Sequence, residues 1–180
     1  MTQERMITGS TTEEVWDQIN SDFETLEDVS HYHVLINHAG TRIALDIDID
    51  LGGGFEGGYE VTSITAAIPD TTFRFAIHPQ DFVYEIGKLF GIQDVTIGYP
   101  EFDKNVIVKT NDDTKVKKLF ADSEVREAFQ DLSGYSLGIT EGDKEQLQLE
   151  LNIQRGIIDA SELLVLYSAY YKVLEAVVKG

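Results

Sequence analysis

Cysteine is missing from all 180 residues. Disulfides, thiolate zinc sites and cysteine nucleophiles are therefore excluded, although redox compartment does not follow from an absence. Basic residues are scarce: 14 Lys and Arg stand against 32 Asp and Glu, for a formal charge of -18. A polyphosphate backbone is repelled by such a chain unless its cations gather on one face. Lys115, Lys117 and Lys118 do cluster, but Asp112 and Asp113 precede them, so no nucleic-acid partner is expected. No uninterrupted apolar run is long enough to cross a bilayer, and MTQERMITGSTTEEVW carries no apolar stretch behind a basic one. The expectation is a cytoplasmic protein without a membrane partner. Serine chemistry lacks its G-x-S-x-G elbow, and kinase-type phosphoryl transfer lacks VAIK, HRD and DFG elements.

What is present is enough to fold. The chain is 42% hydrophobic and 26% charged, ordinary for a globular protein, and its length favours one domain over residues 1–180. Thr11-Thr12-Glu13-Glu14 reads as a capping box, with the Thr11 hydroxyl and the Glu14 carboxylate answering amides of a first helical turn. Val15, Trp16, Ile19, Phe23 and Leu26 then make one apolar stripe, while Glu13, Asp17, Glu24 and Glu27 lie elsewhere around the helix.

The strongest chemical signal lies in HYHVLINHAGTRIALDIDIDL, where apolar and polar residues alternate on both sides of His38-Ala39-Gly40-Thr41. With Ala39 and Gly40 as the turn, Tyr32 faces Ile47, Val34 faces Leu45 and Ile36 faces Ile43, so that one surface is wholly apolar. The same register sets His31 across from Asp48, His33 across from Asp46 and Asn37 across from Arg42. Same-face neighbours on a strand are roughly 6.5 to 7 Å apart, so three aspartates on one strand make no cage alone. His31, His33, Asp46 and Asp48 converging from two strands are the candidate divalent-metal ligands. The competing reading is charge compensation on a wet sheet face. An EF-hand loop starting at Asp46 fails at Leu51 and Gly57, where glycine and a bidentate glutamate belong. Gly52, Gly54 and Gly57 satisfy G-x-G-x-x-G, but the following YEVTSITAAI is β-rich and Glu56 stands inside the loop, so a flexible hairpin loop is expected.

Tyr59 to Ile68 and Phe73 to Ile77 read as two more strands around Pro69-Asp70-Thr71-Thr72, giving four in meander order. Phe82, Val83, Ile86, Leu89 and Phe90 form a helical stripe ending at Gly91. QDVTIG and NVIVK follow as a strand pair around Tyr99-Pro100-Glu101. Two short helices are expected, from about Asp113 to Phe120 and from a Ser123 cap towards Leu132.

Within this region Phe90-Gly91, Gln93-Asp94, Gly98, Phe102-Asp103, Val108-Lys109 and the pieces Leu119-Phe120 and Val125-Arg126, reaching Phe129, form a pattern that resembles one found in uncharacterised bacterial proteins, some of them membrane-tethered. The resemblance covers about a quarter of the chain, implies no function and transfers no catalytic residue. Unlike the tethered examples, this sequence shows no membrane span.

A second hairpin sets Tyr135, Leu137 and Ile139 against Leu147, Leu149, Leu151 and Ile153 around Glu141-Gly142-Asp143-Lys144, with a glutamine-rich opposite face. A last helix capped by Asp159 is apolar over more than one stripe, which suits a core position first and a dimer surface second. The order predicts an α+β domain: a mostly antiparallel twisted sheet built from hairpins, in one piece or two, with helices packed on one face. The functional expectation is a non-catalytic binding or assembly module with no cofactor and a protein partner or second copy. The alternative is a hydrolase-like enzyme using a divalent metal on His31, His33, Asp46 and Asp48.

Overall fold

The computed structural model describes residues 5–53, 57–81, 92–142 and 145–180. The helix expected over Phe82 to Phe90 with its end at Gly91, residues 54–56 of the glycine stretch, and Asp143 and Lys144 of the second turn lie outside the described residues. The elements run β1 Arg5–Gly9, α1 Thr12–Thr25, β2 His31–His38, β3 Thr41–Asp50, β4 Tyr59–Ala67, β5 Phe75–Pro79, β6 Gln93–Val95, α2 Pro100–Asn105, β7 Val106–Thr110, α3 Asp113–Leu119, α4 Ser123–Gln130, β8 Tyr135–Glu141, β9 Leu147–Ile153 and α5 Ala160–Lys179. The nine strands among the described residues join one sheet in the order β1-β2-β3-β4-β9-β8-β5-β7-β6. The fold is α+β, and the β1–β2 pair is parallel while the other strand pairs are antiparallel.

The β2–β3 ladder has the expected register at every position, from His31↔Asp48 through Asn37↔Arg42. Its turn explains why. Ala39 and Gly40 adopt φ of 50° and 87°, the doubly positive pair whose twist matches that of flanking strands and therefore closes a two-residue hairpin. The Ala39 N–H donates to Gly9 O at 2.8 Å, tying the turn to β1. β1 itself was not expected from the sequence. It is an edge strand of five residues, and its parallel partner is reached only through α1, so no local alternation announces it.

The four-strand meander is corrected by the structure. β4 pairs with β9 from Thr62↔Ile153 to Ala67↔Gln148, and the β8–β9 hairpin stands between β4 and β5. The pairing keeps the alternation in step: Ile64 meets Leu151 and Ala66 meets Leu149 on the apolar side. Three strand spacings separate β4 from β5, about 14 Å, and the segment after β4 is long enough to span them extended. β5 joins β8 at only two positions, Ala76↔Gly138 and Ile77↔Leu137, and through them the two ladders become one sheet rather than two.

Smaller corrections concern helix ends. α1 is capped by the Thr11 hydroxyl, which accepts from the Glu14 N–H at 3.2 Å, but the Glu14 carboxylate returns to the Ser10 N–H at 2.7 Å, one residue earlier than a capping box requires. Leu26 is the residue that ends α1, and it is exposed rather than part of the buried stripe. α4 is capped by Asp122, not Ser123, because the Asp122 carboxylate accepts from both Glu124 and Val125. α2 occupies the stretch between β6 and β7, with Pro100 at its first turn, where proline lacks only an amide that would stay unpaired anyway. Asp159 does cap α5 as expected, accepting from the Glu162 N–H at 2.8 Å.

Every described helix packs on the same side of the sheet. Tyr32 on β2 donates to Asp22 of α1 at 2.8 Å and meets Phe23 edge-on. Tyr170 of α5 donates to Leu149 O at 2.9 Å across β9. Phe120 after α3 meets Phe75 of β5 and Phe102 of α2, while Phe129 of α4 stacks on Tyr135 of β8. These contacts belong to one buried apolar cluster that includes Leu163, Leu166, Tyr167, Tyr170, Val173 and Leu174 of α5. The last helix is thus a core helix, the first of its two expected roles. No described helix is long and apolar enough to cross a membrane.

Candidate functional site

Because successive residues of a strand face opposite ways, burying Tyr32, Val34, Ile36, Ile43, Leu45 and Ile47 forces their neighbours onto the other side. That side is free of described helices across β1 to β4 and β9. His31 and His33 are exposed on it, Asp46 and Asp48 half-buried. The structure brings the four sequence-predicted site residues together two by two. His31 Nδ1 is 2.6 Å from Asp48 Oδ1, and His33 Nδ1 is 2.5 Å from Asp46 Oδ1.

Sequence reasoning missed a fifth member. Tyr59, the first residue of β4, lies across from Asp50 and donates its hydroxyl to Asp48 Oδ2 at 2.7 Å. Tyr59, Asp48 and His31 therefore form a chain of hydrogen bonds across three strands. The Tyr59 hydrogen bond, helped by the His31 imidazole, holds the Asp48 carboxyl below its ordinary value, and the same bond pushes the Tyr59 hydroxyl up. Finding Tyr59 from the sequence requires the β3–β4 register, and the glycine-rich stretch between those strands leaves the offset undetermined. Asp50 ends the row by accepting from Gly52 N–H at 2.8 Å, which is turn chemistry rather than ligation.

Among the described residues, no group of three or more His, Asp or Glu side chains is arranged to hold a metal ion. The carboxylates occupy the inner imidazole nitrogens instead. A shallow hollow of about 500 Å³ lies at the end of the same hairpin, lined by Asp50, Leu51, Gly58, Tyr59, Glu60, Gln154 and Arg155. Its charged groups are engaged: Arg155 grips Glu162 through two nitrogens at 3.0 and 2.5 Å, and Glu60 accepts from Gly156 N–H at 3.0 Å.

The remaining histidines serve the interior. His78 is buried with Nδ1 2.9 Å from Pro79 O. His38 ends β2 on the core face, 2.9 Å from the Tyr167 hydroxyl and stacked on the Tyr171 ring at 3.6 Å. Burial lowers the His38 pKa from its ordinary 6.5, against an opposing pull from Glu175. The unfolded chain therefore takes up this proton first as pH falls, so the contribution is present above about pH 6.5 and is lost as pH falls through the folded value. Urea midpoints measured at about pH 7.5 and 5.5 should fall more for the native chain than for His38→Gln. Equal slopes for the two proteins refute this.

Comparison of the chain with models of known protein families, with curated proteins and with solved structures finds no match.

Proposed function

We propose that this chain is a non-catalytic binding module that takes a basic protein segment on the face of β1 to β4 and β9 that no described helix covers. The observation that carries the reading is the one-sided packing: every described helix covers the apolar side, and the opposite side presents Asp46, Asp48, Asp50 and Glu150 among partly exposed Leu35, Val61, Ser63, Thr65, Gln148 and Asn152. A surface mixing carboxylates with apolar and amide groups suits a cationic partner, and the charge of -18 disfavours meeting a second copy there. α5 offers little for a dimer, because its large residues are spent on the core and Val165 and Val178 are its exposed large hydrophobics.

The test is titration of the labelled protein with a lysine- and arginine-rich peptide in physiological salt, followed by amide chemical shifts. Perturbations should gather on β2, β3, β4 and β9. Reversing Asp46 and Asp48 to lysine should weaken binding at least tenfold, since like charges across an interface cost several kcal/mol. Reversing Glu13 and Asp17 on the exposed side of α1 should leave it within about twofold. Equal losses from both reversals point to net charge alone and refute the reading.

A further inference from the structure

We propose that His31 and His33 form a two-histidine site for a borderline divalent ion such as Cu²⁺ or Zn²⁺, in which Asp46 and Asp48 orient the imidazoles and do not ligate. This inference goes beyond the protein-binding reading: it uses Asp46 and Asp48 of the same face, but its ligand is an ion and its readout is spectroscopic, so the two can fail separately.

The argument starts from hydrogen-bond chemistry. An ionised carboxylate only accepts, so an imidazole nitrogen held 2.6 Å from Asp48 Oδ1 must carry the hydrogen. In the neutral ring that leaves the lone pair on His31 Nε2. The same reasoning applies to His33, whose Nδ1 lies 2.5 Å from Asp46 Oδ1. A histidine that donates one ring N–H to a carboxylate and offers the other nitrogen outwards is the arrangement found around metal-bound histidines, where the carboxylate fixes the tautomer and raises ligand basicity. Here it occurs twice, side by side on one strand. The His31 and His33 side chains are 63% and 60% exposed, so their outer nitrogens are open to an ion from solution.

Further support comes from the second hydrogen bond to one of the carboxylates. Tyr59 binds Asp48 Oδ2 at 2.7 Å, which uses the oxygen that a chelating aspartate would have to offer. Asp48 is thereby committed to Tyr59 and His31. Spacing is compatible with a shared ion. The two histidines stand two residues apart on one face, roughly 6.5 to 7 Å, and metal–nitrogen bonds of about 2.0 to 2.1 Å require the nitrogens to approach about 3 to 3.5 Å. Each ring has to lean inward by about 1.5 to 2 Å, a motion for the tip of an exposed side chain. Two protein nitrogens leave the other positions to water. Imidazole donors select Cu²⁺, Zn²⁺ or Ni²⁺ over the oxygen-seeking Mg²⁺ and Ca²⁺.

The experiment is titration of the full chain with Cu²⁺ in a weakly chelating buffer, read by electron paramagnetic resonance and equilibrium dialysis, with circular dichroism to check that each variant is folded. The native protein should bind one Cu²⁺ with two equatorial nitrogens. His31→Ala and His33→Ala should each lose at least tenfold in affinity and show one nitrogen, and the double variant should lose the site. Asp46→Asn with Asp48→Asn should keep the two-nitrogen signature at affinity reduced about tenfold or more, as outer supports do. The proposal is overturned by a native protein that binds no Cu²⁺ with two nitrogens, by a double histidine variant that binds as well as the native chain, or by loss of the two-nitrogen signature in the Asp46→Asn, Asp48→Asn protein.

Discussion

Replacing Phe120 by alanine should cost about 3 to 5 kcal/mol, the range for truncating a buried phenylalanine. The side chain is fully buried, and its ring lies 6.3 Å from that of Phe75 and 5.4 Å from that of Phe102. These three residues belong to a strand, a helix of six residues and the end of a helix of seven. Helices this short are marginal by themselves, so α2 and α3 owe their order to tertiary packing. Domains are commonly stable by about 5 to 15 kcal/mol, so this change removes a large part of the total. Urea denaturation followed by circular dichroism is the measurement. Phe120→Leu should recover at least half of the loss, because it restores most of the volume. A loss below about 1 kcal/mol for Phe120→Ala contradicts the packing described.

Gly138→Val should have the second large effect, for a different reason. A Cβ at Gly138 would sit 2.6 Å from Phe75 O and 3.0 Å from Ala76 Cα. The obstacle is backbone, which cannot swing aside as a flexible side chain does. Gly138 also provides one of the two paired positions by which β8 holds β5, and β5 carries β7 and β6. Overpacking ordinarily costs about 1 to 3 kcal/mol, and at this joint the upper end is expected, with amide protection lost in β5 and β7 before β2 and β3. Gly53→Ala is the control, since nothing lies within 4 Å of its added Cβ and it should stay within about 0.5 kcal/mol of the native chain. Equal effects at the two glycines remove the claim that Gly138 is the seam.

How much of this was legible beforehand depended on whether the determining contact is local. The β2–β3 register followed from three facts within a few residues of one another: alternation before the turn, alternation after it, and two residues able to adopt positive φ. The candidate site inherits that register, which is why the sequence alone sets His31 across from Asp48 and His33 across from Asp46. The roles of the aspartates did not follow. Whether Asp48 is a ligand or an orienting group depends on Tyr59, and Tyr59 reaches it from a strand beyond the glycine-rich stretch. The difference between Asp122 and Ser123 as a cap is of another kind, since both residue types suit the position and only the backbone conformation chooses.

Alternation, turn chemistry and caps therefore determined the two hairpins, the face each residue takes and the start of α5, because each acts over a few residues and needs no distant partner. The tertiary structure alone decided that β8 and β9 enter between β4 and β5, that Arg5–Gly9 becomes a parallel edge strand, and that Tyr59 closes on Asp48. The first two outcomes are competitions between strands far apart in the chain for a free edge, and the third rests on a β3–β4 register that the glycine-rich stretch between them leaves open.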